Sequence, residues 1–177
     1  MTTYIALLRG INVGAHNRMK MAELRELCES FGLENVQTYI QSGNVVFETS
    51  ERDGSVLESE LADTIRDRFG YDISVMVRTR AEFDNIVERQ PFDEPTDENT
   101  TRYVTFLREG LDDDQIQAML SAENDAEAFA AHGREVYSRI HRDKLKSGRF
   151  TDVGKLVGVP ATRRNWNVVT KVHALLE

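Results

Sequence analysis

The chain has 177 residues, with 22 Lys and Arg against 30 Asp and Glu, for a net charge of −8. This length fits one large domain or two small ones, and 40% hydrophobic with 29% charged residues is ordinary globular composition. The single cysteine, Cys28, excludes an internal disulfide or a cysteine zinc site and favours a reducing cytoplasm. No apolar run reaches the ~18 residues of a membrane span, and the first residues lack the charged region of a signal peptide. The acidic balance argues against broad, non-specific binding of nucleic acid.

The first 79 residues predict a regular alternation of strands and helices. Apolar residues recur at helical or strand spacing, and glycines mark where elements end. The predicted elements are a strand at 4–8, a helix with Asn17 as its N-cap and Gly32 as its stop, hairpin strands at 36–40 and 44–48, a helix opened by a capping box of Ser55 and Glu58 and ended at Gly70, and a strand at 73–78. The order βαββαβ is that of the ferredoxin-like plait.

The second half predicts a similar but less complete set of elements. A capping box of Thr79 and Glu82 opens a helix, and residues 90–100 hold two prolines and four acids, which is typical of an exposed linker. There follow a strand at 101–108, a helix capped by Asp112, hairpin strands at 126–131 and 134–140, a short helix about Lys155, and a last helix capped by Asn165 or Asn167. The fourth strand is predicted to be missing or reduced to a few residues near 161–162.

These patterns predict an α+β protein built from two ferredoxin-like (α–β plait) subdomains. We expect each to be an antiparallel sheet with helices packed on one face. The predicted division is a plait at 1–79, a helix and acidic linker at 80–100, and a second plait-like subdomain with the C-terminal helix at 101–177.

The connection after the first strand is a candidate binding loop. Residues 10–17 form a connection longer than the roughly 2–6 residues usual between a strand and a helix. In a plait the first and third strands are antiparallel neighbours, so this loop should lie beside the turn between the second and third strands. The topology therefore brings two polar, glycine-containing segments together, with Arg9, Gly10, Asn12 and Gly14 in one and Gln41, Ser42 and Asn44 in the other.

Charge favours an anion at the same place. Arg18 and Lys20 stand at the start of the first helix, with His16 just before. Cations there oppose the helix dipole, whereas a helix N-terminus attracts phosphates and carboxylates. The alternative is that the glycines serve tight turns and the cations point into water. The loop contains neither G-x-x-x-x-G-K-[ST] nor G-x-G-x-x-G, so it is not a known nucleotide motif.

Two stretches and a C-terminal motif resemble the "domain of unknown function 1697" family. The stretches are 8–14 and 38–47, and the motif is Thr162, Arg164, Asn165 and Trp166. The resemblance spans essentially the whole chain and implies a pair of small α+β plait domains in a bacterial or archaeal cytoplasmic protein, with no established activity. Ala15 stands where the family usually repeats glycine, and Arg163 adds a cation before the position of Arg164.

No other residues point to a catalytic or metal site. Cys28 lies on the apolar face of the first helix, which favours structural burial. The four histidines, His16, His132, His141 and His173, lack metal-ligand spacing, and Ser42 is not in a G-x-S-x-G elbow. The sequence therefore predicts no metal and no cofactor, and it favours binding over catalysis. Trp166 either anchors the last helix to the core or marks a place where Arg164 completes the loop site.

Two hypotheses for function remain open, and the oligomeric state is undetermined. The first is binding of a small anionic metabolite or nucleotide by Arg9, Gly10, Asn12, Gly14, Gln41, Ser42 and Asn44, with Arg164 and Asn165 contributing. The second is a nucleic-acid or protein interaction module, acting through a sheet face bearing Tyr39 and Phe47 or through the basic C-terminal region. Residues 134–177 carry ten Lys and Arg against four Asp and Glu, whereas residues 81–133 carry three against fourteen. A basic tail on an acidic chain weakens the exclusion of nucleic acid.

Overall fold

The computed structural model describes residues 1–93, 95 and 97–177, and the chain divides into two compact units. Unit 1 comprises Met1–Asn85 and Lys171–Glu177, and unit 2 comprises Ile86–Thr170. Each unit contains one four-stranded antiparallel sheet, so the predicted α+β class is confirmed. The predicted boundaries at 79/80 and 100/101 remain predictions. Glu94, one of the four acids of the predicted linker, lies outside the described residues.

Unit 1 has the predicted order of elements. Its sheet runs β2-β3-β1-β4, and β1 pairs antiparallel with both β3 and β4. The elements are β1 (Thr2–Leu8), α1 (Met21–Ser30), β2 (Glu34–Tyr39), β3 (Asn44–Thr49), α2 (Gly54–Phe69) and β4 (Val75–Thr79), followed by α3 (Arg80–Glu88). Leu7 in β1 lies opposite Asn44 in β3, so the end of β1 and the start of β3 lie at the same end of the sheet.

The central strand of unit 1 is buried on both faces. Tyr4 and Leu8 belong to a core that α1 and α2 close with Leu24 and Leu61. Ile5, on the opposite face of β1, is equally buried. Burial on both faces explains why this strand is a continuous apolar run rather than an alternating one.

Two helix starts in unit 1 differ from their predictions. Lys20, not Asn17, occupies the N-cap of α1, because Asn17 adopts a left-handed backbone (φ 49°) and belongs to the preceding loop. The N-cap of α2 is Asp53, whose side chain accepts from the Ser55 backbone N–H. The predicted capping box of Ser55 and Glu58 is therefore wrong.

Unit 2 repeats the arrangement, with sheet order β6-β7-β5-β8. Its fourth strand is present, because β8 spans five residues and pairs antiparallel with β5, which corrects the prediction of a missing or vestigial strand. Asp112 caps α4 with a capping box to Gln115, and Asn165 accepts from the Asn167 backbone N–H at the start of α6. The elements are β5 (Thr100–Leu107), α4 (Asp113–Ser121), β6 (Glu127–His132), β7 (Glu135–His141), α5 (Val153–Val157), β8 (Ala161–Asn165) and the start of α6 (Trp166–Ala174), whose residues from Lys171 on belong to unit 1.

None of the helices in the described ranges combines the length and apolar character needed to traverse a lipid bilayer.

Candidate functional site

The side chain of Asn12 holds the loop after β1 against the β2–β3 turn. Its Oδ1 accepts from the Met19 backbone N–H at 2.8 Å, and its Nδ2 donates to the carbonyl oxygens of Met19 at 3.0 Å and Gln41 at 2.8 Å. Both amide hydrogens and the amide oxygen are thus used within unit 1. The hydrogen bond to Gln41 shows that the two predicted segments do meet at this end of the sheet.

The loop is built from residues that tolerate left-handed backbone. Gly10, Asn12, Gly14 and Asn17 all have positive φ, between 49° and 67°. Among non-glycine residues, Asn is one of those found most often with a left-handed backbone, because its short polar side chain can hydrogen-bond locally. Asn17 does so, donating from Nδ2 to the Gly10 carbonyl at 3.0 Å. The loop is therefore fixed by its own backbone and amides.

The β2–β3 turn packs closely on the end of β1. The Leu8 backbone N–H donates to the Gly43 carbonyl at 2.9 Å. A Cβ at Gly43 would lie 2.8 Å from Leu8 Cβ and from Ile11 Cδ1, so only glycine fits. Asn44 is buried and donates from Nδ2 to the Tyr39 carbonyl at 2.9 Å and to Ser42 Oγ at 3.0 Å. The β2–β3 turn is therefore fixed by hydrogen bonds and close packing, as the loop after β1 is fixed by its own hydrogen bonds.

Cationic side chains surround this framework. Arg9, His16, Arg18 and Lys20 are all exposed, and their side chains form no hydrogen bond or ion pair with any residue that the structure describes. Lys20 is the N-cap of α1, yet no side chain caps the first N–H groups of that helix. Two exposed cations, Arg18 and Lys20, thus stand at the N-terminus of a ten-residue helix whose first turn contains one acidic residue, Glu23.

Tyr71 helps to hold the loop after β1, a role that the sequence analysis did not predict. Its hydroxyl donates to the Arg18 carbonyl at 2.7 Å, which ties the loop to the segment before β4. The only sequence signal was its place just after Gly70, the glycine that ends α2.

Arg164 and Asn165, the two predicted contributors from the C-terminal motif, lie in unit 2. Arg164 is buried, and its Nη1 donates to Thr162 Oγ1 at 2.6 Å and to the Arg163 carbonyl at 3.0 Å. Burial lowers the pKa of Arg164 to about 10. Asn165 serves as the cap of α6. Their participation in a site with the unit 1 loop stays a prediction.

Two other side chains considered in the sequence analysis, those of Cys28 and Phe47, are buried in the core. Cys28 is buried, as predicted, and burial raises the pKa of its thiol to about 12, so it is not a nucleophile at neutral pH. Phe47 is fully buried and stacked 5.7 Å from Tyr4. The suggestion that Phe47 helps a sheet face to bind RNA is therefore wrong, because a base cannot reach its ring. Over residues 1–93, 95 and 97–177, no group of three or more His, Cys, Asp or Glu side chains could hold a metal ion.

Comparison with known proteins identifies similar sequences and folds. Residues 1–137 match the family described as "Protein of unknown function (DUF1697)". The C-terminal motif of Thr162, Arg164, Asn165 and Trp166 lies beyond the matched residues. The chain is similar in structure to conserved bacterial protein SP0830 from Streptococcus pneumoniae, with a TM-score of 0.70, 25% sequence identity and 99% of each chain covered. No curated protein matches the sequence.

Proposed function

Since the chain belongs to the DUF1697 family of proteins of unknown function, we propose a function from its own residues: unit 1 binds a small phosphate- or carboxylate-bearing molecule at the polar loop. The polar loop is defined as residues 9–20 together with the turn at 40–43. The observation that carries the proposal is the set of exposed, unpaired cations around the N-terminus of α1.

The electrostatics of the α1 N-terminus explain why these cations would favour binding of an anion. Positive charge at a helix N-terminus is unfavourable by roughly 0.3–1 kcal/mol for each exposed side chain. Lys20 and Arg18 stand there, and Glu23 is the acidic residue of the first turn, so the two cations outnumber the carboxylate. A bound anion would reverse the sign of this interaction, because it would face both the cations and the free N–H groups of the first turn.

The residues of the polar loop divide into those that hold the loop and those that face the ligand. The side-chain amides of Asn12 and Asn17 form hydrogen bonds with backbone groups of the polar loop itself. Arg9 would contact the anion through its guanidinium, as a bidentate donor, and Lys20 would add a point charge. The backbone N–H groups near Gly10 and Gly14 would complete the contacts.

We further propose that both units are ferredoxin-like plaits in a cytoplasmic protein. The support for the plait is the β1-centred order β2-β3-β1-β4 with the element order βαββαβ, and its counterpart β6-β7-β5-β8 in unit 2. The support for the location is the reduced state expected of a protein with one buried thiol.

A thermal-shift screen tests the anion site. The panel should contain inorganic phosphate, sugar phosphates, nucleotides and di- and tricarboxylates. A ligand present at 100 times its Kd stabilises a protein by about 2.7 kcal/mol, which corresponds to a rise in Tm of about 5–10 °C for a chain of this size. A flat response to the whole panel would overturn the proposal.

Matched charge variants then locate the site. Arg9→Ala and Lys20→Ala should each abolish most of the rise in Tm that the best compound gives. Lys171→Ala, which removes an exposed cation from α6 in the same unit, should leave it unchanged. If all three variants respond like the wild type, the ligand binds elsewhere.

A further inference from the structure

A groove in unit 2 is lined by cationic side chains and one aromatic ring. It encloses about 590 Å³, and among its lining residues are Lys144, Lys146, Arg149 and Phe150. These four residues are called the basic groove below. The anion proposal for unit 1 makes no use of this surface.

The aromatic ring is part of a stack that includes an arginine. Phe150 stacks on Tyr103 with 5.4 Å between ring centroids. The Arg163 guanidinium lies 4.1 Å from the Phe150 centroid and 5.1 Å from that of Tyr103. Arg142 donates from Nη2 to the Tyr103 hydroxyl at 3.2 Å. Two further arginines therefore continue the positive surface beside the groove.

The cations of the basic groove are available to a ligand. Lys144, Lys146 and Arg149 are exposed, and in the part of the chain that the structure describes their side chains have no hydrogen-bond or ion-pair partner. Two carboxylates also line the groove. Glu127 is buried, and its oxygens accept from the Thr151 backbone N–H at 2.8 Å and from Thr151 Oγ1 at 2.6 Å. Asp125 is exposed, so the accessible charges are three positive and one negative.

We propose that the basic groove binds single-stranded nucleic acid, with Lys144, Lys146 and Arg149 on successive phosphates and a base stacked against Phe150. Single strands combine regular negative charge with accessible planar bases, and both features have a counterpart here. A duplex hides the faces of its bases. An acidic peptide would satisfy the cations but would bring no planar base to stack on Phe150.

Fluorescence anisotropy with labelled 12-nucleotide oligothymidylate and oligouridylate tests the proposal. Each phosphate contact to a single strand contributes a slope of about −0.7 to log K against log salt, so three contacts should give about −2. Replacing Lys144, Lys146 and Arg149 together by alanine should weaken binding at least tenfold and flatten that slope. A matched triple alanine variant at Arg108, Lys155 and Lys171 removes the same charge from other exposed positions and should bind like the wild type.

A second variant separates stacking from charge. Phe150→Ala should weaken binding about fivefold or more, because stacking on an aromatic ring contributes that much per base, while the salt slope stays the same. A duplex of the same length and poly-glutamate should compete poorly with the labelled strand. Absence of binding, equal loss in the two triple variants, an unchanged Phe150→Ala, or full competition by poly-glutamate would each overturn the proposal.

Discussion

The amide nitrogen of Asn12 donates a 2.8 Å hydrogen bond to the carbonyl oxygen of Gln41, 29 positions further along the chain. This contact joins the loop after β1 to the turn between β2 and β3. The same side chain also exchanges two hydrogen bonds with the Met19 backbone. One asparagine thus fixes the conformation from which the exposed cations of the polar loop project.

Asn12→Ala should destabilise unit 1 by about 1–3 kcal/mol. The substitution removes three hydrogen bonds at a partly buried position and puts alanine at a φ of 53°, and unsatisfied backbone groups cost in this range. Urea unfolding followed by circular dichroism measures the loss. Glycine adopts the left-handed backbone without strain. Asn12→Gly and Asn12→Ala both lose the side-chain hydrogen bonds, so the loss of unfolding free energy common to the two variants is due to these hydrogen bonds. If Asn12→Gly is as stable as the wild type, these hydrogen bonds contribute nothing.

Gly43→Ala should destabilise unit 1 more than a left-handed backbone alone explains. A Cβ there would lie 2.8 Å from both Leu8 Cβ and Ile11 Cδ1, at a φ of 87°. The strain of that φ costs about 1–2 kcal/mol, and overpacking adds about 1–3 kcal/mol. Gly70→Ala is the matched control, since its φ is 77° and nothing lies within 4 Å of the added Cβ. Equal losses of unfolding free energy in the two variants would show that the contact with β1 is not tight.

The element order was predictable because periodicity and glycine punctuation are local signals. The meeting of the two polar segments was also predictable, since it follows from the pairing of β1 with β3. The role of Glu58, in contrast, depends on a contact distant in the chain. Glu58 has the spacing of a capping box, but its carboxylate is buried and accepts from the Val77 backbone N–H in β4.

The divided role of the site residues was equally invisible in the sequence. Asn12 and Arg9 were both predicted as ligand contacts, yet the asparagine is used within the loop while the arginine is exposed. Residue types alone do not distinguish a side chain that holds a loop from one that faces a ligand. The only sequence signal for the basic groove was the positive charge of residues 134–177. Phe150 and Tyr103 are 47 positions apart in the chain and come into contact only in the folded unit.

Glu58→Ala should cost about 3–5 kcal/mol of unfolding free energy. The carboxylate accepts from the Val77 N–H at 2.8 Å and lies 4.0 Å from the guanidinium of Arg78, which is fully buried. Removing one member of a buried charge pair is strongly destabilising, by about 3–5 kcal/mol. Glu58→Gln keeps an acceptor for Val77 and should lose less. Asp67→Ala, at an exposed position of the same helix, should stay within about 0.5 kcal/mol of the wild type, and a Glu58→Ala loss as small as that would contradict the assignment.

Both units should lose stability at alkaline pH, each through one buried acid. Burial raises the pKa of the Cys28 thiol in unit 1 from 9.0 to about 12, and that of the Tyr137 hydroxyl in unit 2 from 10.0 to about 12. Between the unfolded and folded pKa values the unfolded chain has released a proton that the folded chain retains, so unfolding becomes easier as the pH rises. For Cys28 the loss of unfolding free energy at pH 11 should be roughly 2–3 kcal/mol.

Single substitutions isolate the two contributions to this alkaline loss. The midpoint of urea unfolding should be measured from pH 7 to 11.5. Cys28→Ala should remove the decrease in midpoint that begins near pH 9, and Tyr137→Phe should remove the part of the decrease that begins near pH 10. Tyr137→Phe should also cost about 1 kcal/mol at pH 7, because the hydroxyl donates to the Ile86 carbonyl at 2.7 Å. Iodoacetamide should label Cys28 at pH 8 only after urea unfolding, since the folded thiol is buried and protonated. Rapid labelling of the folded chain, or a pH profile that Cys28→Ala leaves unchanged, would show that this thiol is more exposed than the structure places it.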